Sequence, residues 1–355
     1  MPKAHQTTEM QTLLRNIQEN AVTINGIIER ILERHEESEK SRRVRELNSQ
    51  LFDQSSYYLR AGGKRMRPYT TVMAGRLFGE ATEELYVAGA SVELLHNFTL
   101  VHDDIMDADK VRRGIKTAHE AFGIPAAINM GDYLHATSYF VASELESPEL
   151  GRGVVKSLSA AARDISMGQN LDMSFETLTD VDEAEYLRMI SLKTAALYKC
   201  SASLGGIVGG MQKGSRITAD KRQLDALEDY GENLGLAFQI RDDYLGVFGD
   251  ESKTGKSVGN DIKRGKRTFI LIQAKERATT AQRERIWRAV GNLNAPKSEL
   301  TDALEVIKGL GLDEKCQELA ESYASKAISA IGNFNNSEAR RSLSLLAEYE
   351  IQRDS

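Results

Sequence analysis

The sequence of 355 residues predicts an all-α fold that forms a single domain over residues 1–355. Three observations predict this class. Apolar residues recur at three- and four-residue spacings along almost the whole chain, which is the spacing of one helix face. The chain holds only five prolines, and proline interrupts helices. No segment shows a convincing alternation of apolar and polar residues, the pattern typical of a half-buried strand.

The helical pattern can be followed along the chain. An N-terminal helical segment over residues 1–50 carries apolar residues from Leu13 to Leu32, and a second run from Leu85 to Thr99 leads into an acidic cluster at Asp103. The pattern continues over residues 154–173, 184–211, 221–248, 269–290, 299–309 and 314–331. The breaks are short, at 61–68, 144–153, 212–219, 249–266 and 292–297, so no interdomain linker is indicated.

Composition excludes several function classes. Acidic residues outnumber basic ones by 52 to 46, which argues against bulk nucleic-acid binding because that requires a basic surface. No run of about 18 apolar residues is present, so we expect no membrane span, and residues 1–20 lack an apolar signal core. The two cysteines, Cys200 and Cys316, are typical of a reducing compartment, so we expect a cytoplasmic protein. The six histidines show no zinc-binding spacing.

Two acidic clusters stand out. Asp103, Asp104 and Asp107 fall within five residues, and the first and last of them share one helix face, where like charges repel. A solvated helix face and a magnesium site are both open interpretations, since Mg²⁺ is held by one or two carboxylates plus phosphate oxygens and water. Asp242 and Asp243 repeat the theme with Gln239 on a similar face, so two acidic helix edges could hold several Mg²⁺ ions between them.

Basic segments alternate with the acidic ones. Arg112 and Arg113 follow the first cluster, and a glycine-rich loop with Lys256 and Lys266 follows the second. A third basic segment, AGGKRMRP, carries Lys64, Arg65 and Arg67. A helix C-cap at Gly62–Gly63 and a solvated loop remain possible interpretations. The alternation favours a ligand with many negative charges, neutralised partly by metal and partly by Lys and Arg.

No protein nucleophile stands out. Cys200 lies in an apolar helical segment and is interpreted as a core residue, and His102 as a core or capping residue. His96 lies about two turns before Asp103, so it is a candidate donor to a phosphate. A polyanionic ligand with metal and no nucleophile indicates ionisation of an activated ester.

Six motifs, in this order, resemble the trans-isoprenyl diphosphate synthases (polyprenyl synthetases). They are GGKRMRP (62–68), ELLHNFTLVHDDIMDADKVRRG (93–114), KTAALY (193–198), FQIRDDYLGVFGD (238–250), TGKSVGND (254–261) and GKRT (265–268). The resemblance covers roughly residues 60–270. It implies long helices around a deep central cavity, a homodimer, and Mg²⁺-dependent condensation of isopentenyl diphosphate with dimethylallyl, geranyl or farnesyl diphosphate.

The resemblance also assigns residues. Three Mg²⁺ ions would be bound by the aspartates of the two motifs, Asp103, Asp104, Asp107, Asp242 and Asp243. The allylic diphosphate would contact Arg112, Lys193, Lys256 and Lys266, with Thr194 and Gln239 steadying the developing cation. The diphosphate of isopentenyl diphosphate would contact Lys64, Arg67, His96 and Arg113. Gly246 departs from the family, because many members carry a third aspartate there; Asp243, Asp250 or Asp261 is the alternative support for the metal shell.

The implied chemistry needs no side-chain base. Metal and cations stabilise the leaving pyrophosphate, the allylic C–O bond breaks, isopentenyl diphosphate attacks the cation, and pyrophosphate takes the proton. Phe98 and Thr99 lie five and four residues before Asp103. In the family an aromatic at this fifth upstream position looks like a floor, so the resemblance implies geranylgeranyl diphosphate (C20), with Tyr133 and Tyr139 as further walls. Phe98 as a core residue, and a C15 or C25 product, are the alternatives.

Two other classes are weighed against this function. A terpene cyclase shares the first acidic motif but uses a different second metal motif, and FQIRDDYLG does not fit it. A non-catalytic helical partner subunit would show degraded aspartates, and the first motif here is intact.

Overall fold

The computed structural model describes residues 2–212, 216, 217, 219–249 and 259–353, with side chains from residue 8 onward except at 212, 216 and 217. The all-α prediction is confirmed. The helices of the first half are α1 Pro2–Ser38, α2 Arg42–Ser55, α3 Tyr57–Arg60, α4 Met66–Gly75, α5 Glu83–Met106, α6 Ala118–Phe122, α7 Ile124–Ser143 and α8 Pro148–Phe175.

The second half is equally helical. Its helices are α9 Glu183–Ile190, α10 Ala196–Gly209, α11 Lys221–Phe248, α12 Asn260–Arg264, α13 Phe269–Arg277, α14 Thr280–Trp287, α15 Lys297–Gly309, α16 Leu312–Ala330 and α17 Glu338–Gln352. A π turn, Ser191–Ala195, separates α9 from α10. Among the described residues, the strands form two antiparallel pairs, β1 Val111–Arg112 with β2 Ile115–Lys116 and β3 Met211–Gln212 with β4 Arg216–Ile217.

The contacts divide the chain into two compact units. Unit 1 consists of Met1–Ala162, Lys199–Glu228 and Asn333–Leu345, and unit 2 consists of Arg163–Tyr198, Asp229–Gly332 and Leu346–Ser355. The expectation of one domain over 1–355 stays a prediction. Within the described ranges, none of the helices combines the length and the apolar character needed to cross a membrane.

The core of unit 1 forms around α5. Thr82 caps the start of this helix by accepting a hydrogen bond from the backbone N–H of Leu85, and two glutamates in the first turn suit the positive helix end. The buried face of α5 packs with apolar residues of α1 and α7. Cluster members include Ile24, Ile28, Leu94, Val101, Met130 and Leu134. This packing fixes the helix whose carboxyl end carries the first acidic motif.

The core of unit 2 forms around α9, α11 and α13. A capping box at Asp182 and Glu185 starts α9, each side chain accepting from the other residue's backbone N–H. Buried residues of this core include Tyr186, Ile190, Ile240, Ile270, Ile307 and Cys316. These contacts hold α11, the helix of the second acidic motif, and the π turn in one packed body.

Candidate active site

The first acidic motif lies at the carboxyl end of α5. Asp103 and Asp107 are half-buried and lie one helical turn apart, whereas Asp104 is fully buried. The Asp104 carboxylate accepts hydrogen bonds from the Tyr58 hydroxyl and from Nε of Arg112, the latter at 2.6 Å. Burial raises the pKa of Asp104, although the Arg112 hydrogen bond opposes that rise. The motif therefore presents two partly accessible carboxylates and one that is held inside.

A tight hairpin returns Arg112 to the end of α5. Arg113 and Gly114 form its turn with φ values of 52° and 78°, both left-handed, as a two-residue hairpin turn requires. Arg112 Nη2 then lies 2.6 Å from Asp104 and 3.8 Å from Asp103. Burial lowers the pKa of Arg112, but the hydrogen bond and charge of Asp104 outweigh it and raise that pKa. The guanidinium therefore stays charged beside the first motif.

Three of the four residues predicted to contact isopentenyl diphosphate lie close enough to influence one another's charge: Arg67, His96 and Arg113. Nη1 of Arg67 lies 3.3 Å from Nε2 of His96, and Arg113 donates to the carbonyls of Tyr58 and Gly62 at 2.9 and 2.6 Å. Burial and then the charge of Arg67, with further Arg charges, hold the pKa of His96 well below its ordinary value. His96 is therefore a neutral imidazole surrounded by cations.

Lys64, the fourth of these residues, is exposed on the loop that precedes α4. Its neighbour Arg65 turns inward instead, with a left-handed φ of 53° and a fully buried side chain. Arg65 donates to Asn25 at 2.9 Å, to the Gly62 carbonyl at 2.9 Å and to Glu93 at 3.1 Å. Glu93 was not predicted as a site residue, because a buried ion pair between distant segments leaves no local pattern. This pair fixes the loop between Lys64 and Arg67.

Gly63 is required where this loop passes Arg113. Its φ is +124°, and an added Cβ would lie 2.6 Å from Nη1 of Arg65 and 2.8 Å from Cζ of Arg113. Both distances are far below a normal contact, so a side chain here would push the two guanidinium groups apart. Gly63 is thus explained by close approach as well as by backbone conformation, whereas Gly62, with a φ of +93° and open space around its Cβ, is explained by conformation alone.

The second acidic motif lies in α11. The Asp242 carboxylate is partly exposed and lies 3.4 Å from Nη2 of Arg353, a guanidinium that also packs 4.3 Å from the centre of the Phe238 ring. Asp243 is buried and accepts from the Tyr186 hydroxyl at 2.7 Å and from Nε2 of Gln239 at 2.8 Å. Burial raises the pKa of Asp243 to about 7.

Gln239 joins this motif to the π turn. Its amide oxygen accepts from Oγ1 of Thr194 at 2.7 Å while its amide nitrogen donates to Asp243, so the structure brings Thr194 and Gln239 together. Lys193, on the same turn, donates to Asp172 at 2.5 Å, and Lys266 lies 3.9 Å from the same carboxylate. Lys256 and Asp250 lie outside the described residues.

Gly246, the departure from the family pattern, lies against the carboxylate of Asp261. A Cβ at this position would lie 2.4 Å from Oδ2 of Asp261. The backbone of the following turn is close as well, since the Gly259 N–H donates to the Gly246 carbonyl at 2.8 Å. The carboxylate of Asp261 thus occupies the space beside residue 246 that a side chain would otherwise fill.

The aspartates of the two motifs differ in how well they suit magnesium. Within the described ranges, no group of three Asp, Glu, His or Cys side chains lies close enough to hold a metal by itself. Mg²⁺ needs fewer protein ligands when phosphate oxygens and water complete its shell, so partly accessible carboxylates such as Asp103, Asp107 and Asp242 fit it. Asp104 and Asp243 are buried in hydrogen bonds, which favours a supporting position for both.

Phe98 is held by α7. Its ring stacks on His135 with centroids 4.2 Å apart and an interplanar angle of 10°, and Nε2 of His135 lies 2.8 Å from the Tyr139 hydroxyl. Thr99 donates to the His96 carbonyl at 2.8 Å, and Tyr133 lies 3.0 Å from Nδ1 of His35. His135 was not predicted from the sequence, since nothing local marks a histidine as a stacking partner.

In comparison with known proteins, residues 48–307 of this chain match the Polyprenyl synthetase family. A geranylgeranyl diphosphate synthase of Saccharolobus solfataricus is 41% identical over 312 residues, covering 86% of this chain and 91% of that protein. A geranylfarnesyl diphosphate synthase of Aeropyrum pernix is 39% identical over 310 residues, covering 84% and 93%. The crystal structure of a geranylgeranyl pyrophosphate synthetase from Pyrococcus horikoshii is similar with a TM-score of 0.86 and 34% identity, over 97% of this chain and 99% of that one. The resemblance predicted from the sequence is confirmed: the chain belongs to the polyprenyl synthetase family.

Proposed function

We propose that this chain is a prenyltransferase that condenses isopentenyl diphosphate with an allylic diphosphate, with geranylgeranyl diphosphate as its main product. The observation that carries the proposal is the family match over residues 48–307, which contains every predicted site residue from Lys64 to Lys266. The geometry adds support, because acidic and basic side chains meet at the first motif, where Arg112 lies against Asp104 and Asp103.

Magnesium is the proposed metal, with three ions expected. Asp103, Asp107 and Asp242 would hold it, and Asp104 and Asp243 would support them from the inside. When bound, the metal neutralises the diphosphate and stabilises the charge that develops on the leaving pyrophosphate. The similar crystal structure from Pyrococcus horikoshii is that of a geranylgeranyl pyrophosphate synthetase, which fits a diphosphate ligand for these groups.

The protein's own cations bind the two substrates. Arg112, Lys193, Lys256 and Lys266 hold the allylic diphosphate, and Lys64, Arg67, His96 and Arg113 hold isopentenyl diphosphate. A neutral His96 donates one hydrogen bond to a phosphate oxygen without adding charge, while the neighbouring arginines supply the charge. Thr194 and Gln239 orient their oxygens by their mutual hydrogen bond, so their dipoles are fixed before the allylic cation forms.

We base the proposed product length on the part of α5 that precedes the first motif in the chain. Phe98 stacks on His135, which itself lies within hydrogen-bond distance of the Tyr139 hydroxyl, so the ring loses this stack if it rotates away. Such a supported ring is a suitable floor for a growing chain. Relatives named for C20 and for C25 products are about equally similar to this chain, so the C20 product is the proposal and C15 or C25 products are outcomes of the test.

The experiment supplies isopentenyl diphosphate and Mg²⁺ with dimethylallyl, geranyl or farnesyl diphosphate in separate reactions and identifies products by mass spectrometry. The expected result is a C20 diphosphate and released pyrophosphate. A terpene cyclase would consume the allylic diphosphate alone, and a non-catalytic partner subunit would consume neither substrate; either result contradicts the proposal. The homodimer and the cytoplasmic location stay predictions, and no nucleic-acid partner is proposed.

A further inference from the structure

The carboxyl half of α8 faces the two lysines that we assign to the allylic diphosphate. Gly168 and Asp172 lie one turn apart on this helix and therefore share a face. Neither residue was singled out in the sequence. Both contact the segment that carries Lys193.

Asp172 is shared by two lysines. Its side chain is 7% exposed, and its Oδ2 lies 2.5 Å from Nζ of Lys193 and 3.9 Å from Nζ of Lys266. Although burial opposes the charged form, Lys266 and then Lys193 lower the pKa of Asp172. One buried carboxylate thus holds two ammonium groups from segments that are far apart in the chain.

Gly168 lets the π turn approach α8. A Cβ at this position would lie 2.2 Å from the backbone nitrogen of Lys193 and 2.6 Å from its Cα, which backbone atoms cannot avoid by a rotamer change. Gly235 on α11 does the same, because its Cβ would lie 2.4 Å from Cα of Ala195. A glycine on each of the two helices, α8 and α11, therefore lets both helices pack closely against the π turn.

We propose that Gly168 and Asp172 form a positioning pair that sets Lys193 and Lys266 for the allylic diphosphate. Gly168 fixes the backbone from which Lys193 projects, and Asp172 fixes the two ammonium groups relative to each other. This inference rests on the proposed function. The two residues act through the lysines and need not touch the substrate.

The Asp172→Asn variant tests the pair with little change in volume. With the shared anchor lost, the KM for the allylic diphosphate is expected to rise about tenfold, the size of a lost hydrogen bond to a charged group. The KM for isopentenyl diphosphate is expected to stay within about twofold, since its proposed contacts lie elsewhere. A purely electrostatic effect has the opposite sign, because removing a negative charge beside two ammonium groups tightens diphosphate binding. A lower or unchanged allylic KM would overturn the proposal.

The Gly168→Ala variant tests the backbone contact, with Gly153→Ala on the same helix as its control. A Cβ at Gly153 meets only a methyl group of Ile207 at 3.6 Å, an ordinary contact, so this variant is expected to keep both KM values. Gly168→Ala is expected to raise the allylic KM in the same direction as Asp172→Asn. Equal KM values in the two alanine variants would overturn the role of Gly168. If Gly168→Ala fails to fold, Asp172→Asn carries the test.

Calorimetric titration of the intact protein with inorganic pyrophosphate separates the two failures. Asp172→Asn is expected to bind pyrophosphate about tenfold more weakly than the natural chain; equal or tighter binding contradicts the positioning pair. If the natural chain binds pyrophosphate but makes no prenyl product, the proposed function fails while the positioning pair is still judged by this titration.

Discussion

The two acidic motifs have the same arrangement of one partly exposed and one buried aspartate, but the contacts of the buried aspartate differ. In each, the first aspartate is partly exposed near an arginine, Asp103 beside Arg112 and Asp242 beside Arg353. In each, the second aspartate is buried and accepts a hydrogen bond from a tyrosine hydroxyl, Tyr58 in unit 1 and Tyr186 in unit 2. Each motif therefore presents one accessible carboxylate, followed in the chain by a buried carboxylate that is hydrogen-bonded inside the protein.

The difference lies in what else contacts the inner carboxylate. Asp104 has the guanidinium of Arg112 at 2.6 Å, so its negative charge is compensated. Asp243 has the amide of Gln239, a neutral donor, and burial raises its pKa to about 7. The inner aspartate is thus part of an ion pair in the first motif, whereas in the second it is contacted by a neutral donor and its raised pKa leaves it partly protonated near pH 7. The same two letters in a sequence can therefore stand for different charge states.

Removing an outer carboxylate is expected to have the largest effect. Asp103→Ala and Asp242→Ala should each lower kcat by at least ~10²-fold, by analogy with the loss of one preorganised electrostatic group. Steady-state kinetics with isopentenyl and farnesyl diphosphates measure this. A near-natural rate in either variant would remove that aspartate from the metal site and leave the two motifs unequal in function.

Neutralising the inner carboxylates should separate the motifs most clearly. Asp104→Asn leaves Arg112 without its counter-charge and is expected to lower the free energy of unfolding by about 3 kcal/mol. Asp243→Asn copies a group that is already largely protonated below neutral pH and is expected to cost at most ~1 kcal/mol at pH 6. Urea unfolding of the metal-free protein measures both. Equal losses would contradict the assigned difference in charge.

The Asp243→Asn variant should also change how the free energy of unfolding depends on pH, which urea unfolding at several pH values measures. With an ordinary pKa of 3.8 and a folded-state pKa of about 7, Asp243 releases its proton first in the unfolded chain as the pH rises. Its contribution therefore lowers the free energy of unfolding between these two pH values, and that decline should be absent in Asp243→Asn.

Restoring the third aspartate of the second motif should be unfavourable here. Gly246→Asp would drive a side chain into the carboxylate of Asp261, where a Cβ already falls at 2.4 Å. Overpacking and like charge together are expected to cost about 2 kcal/mol of unfolding free energy. Thermal unfolding measures this loss of stability. The control is Gly309→Ala, at a position with open space around its Cβ. A stable Gly246→Asp protein would show that Asp261 can move away.

The aromatic rings that precede the two motifs also differ in their contacts. Changing one of these rings is expected to have the smallest effect on the reaction rate. Phe98 stacks on His135, whereas Phe238 packs against the guanidinium of Arg353. Phe98→Ala is expected to lengthen the product beyond C20 with kcat within about tenfold, because it removes a wall and no charge. Mass spectrometry of the product reads this out. An unchanged product would remove Phe98 from chain-length control.

Much of the fold was accessible from the sequence, because helical spacing is a local signal. The helices that carry both acidic motifs agree with expectation. The partners of the inner aspartates were not accessible, since Tyr58 is 46 residues from Asp104 and Tyr186 is 57 from Asp243. Asp172 and Glu93 were missed for the same reason, as were the left-handed backbone of Arg65 and the π turn, which depend on tertiary contacts.

The π turn at Ser191–Ala195 has a consequence for how this helix tolerates insertions and deletions. Its closing bond runs from the Ala196 N–H to the Ser191 carbonyl, one residue wider than in an α-helix. Shortening the segment by a single residue would let it rewind as an α-helix, with the flanking helices α9 and α10 keeping nearly their present orientation. The side chains of the turn itself, Lys193 and Thr194, would then change direction relative to α9 and α10. Length, and not only composition, is therefore under constraint in these five residues.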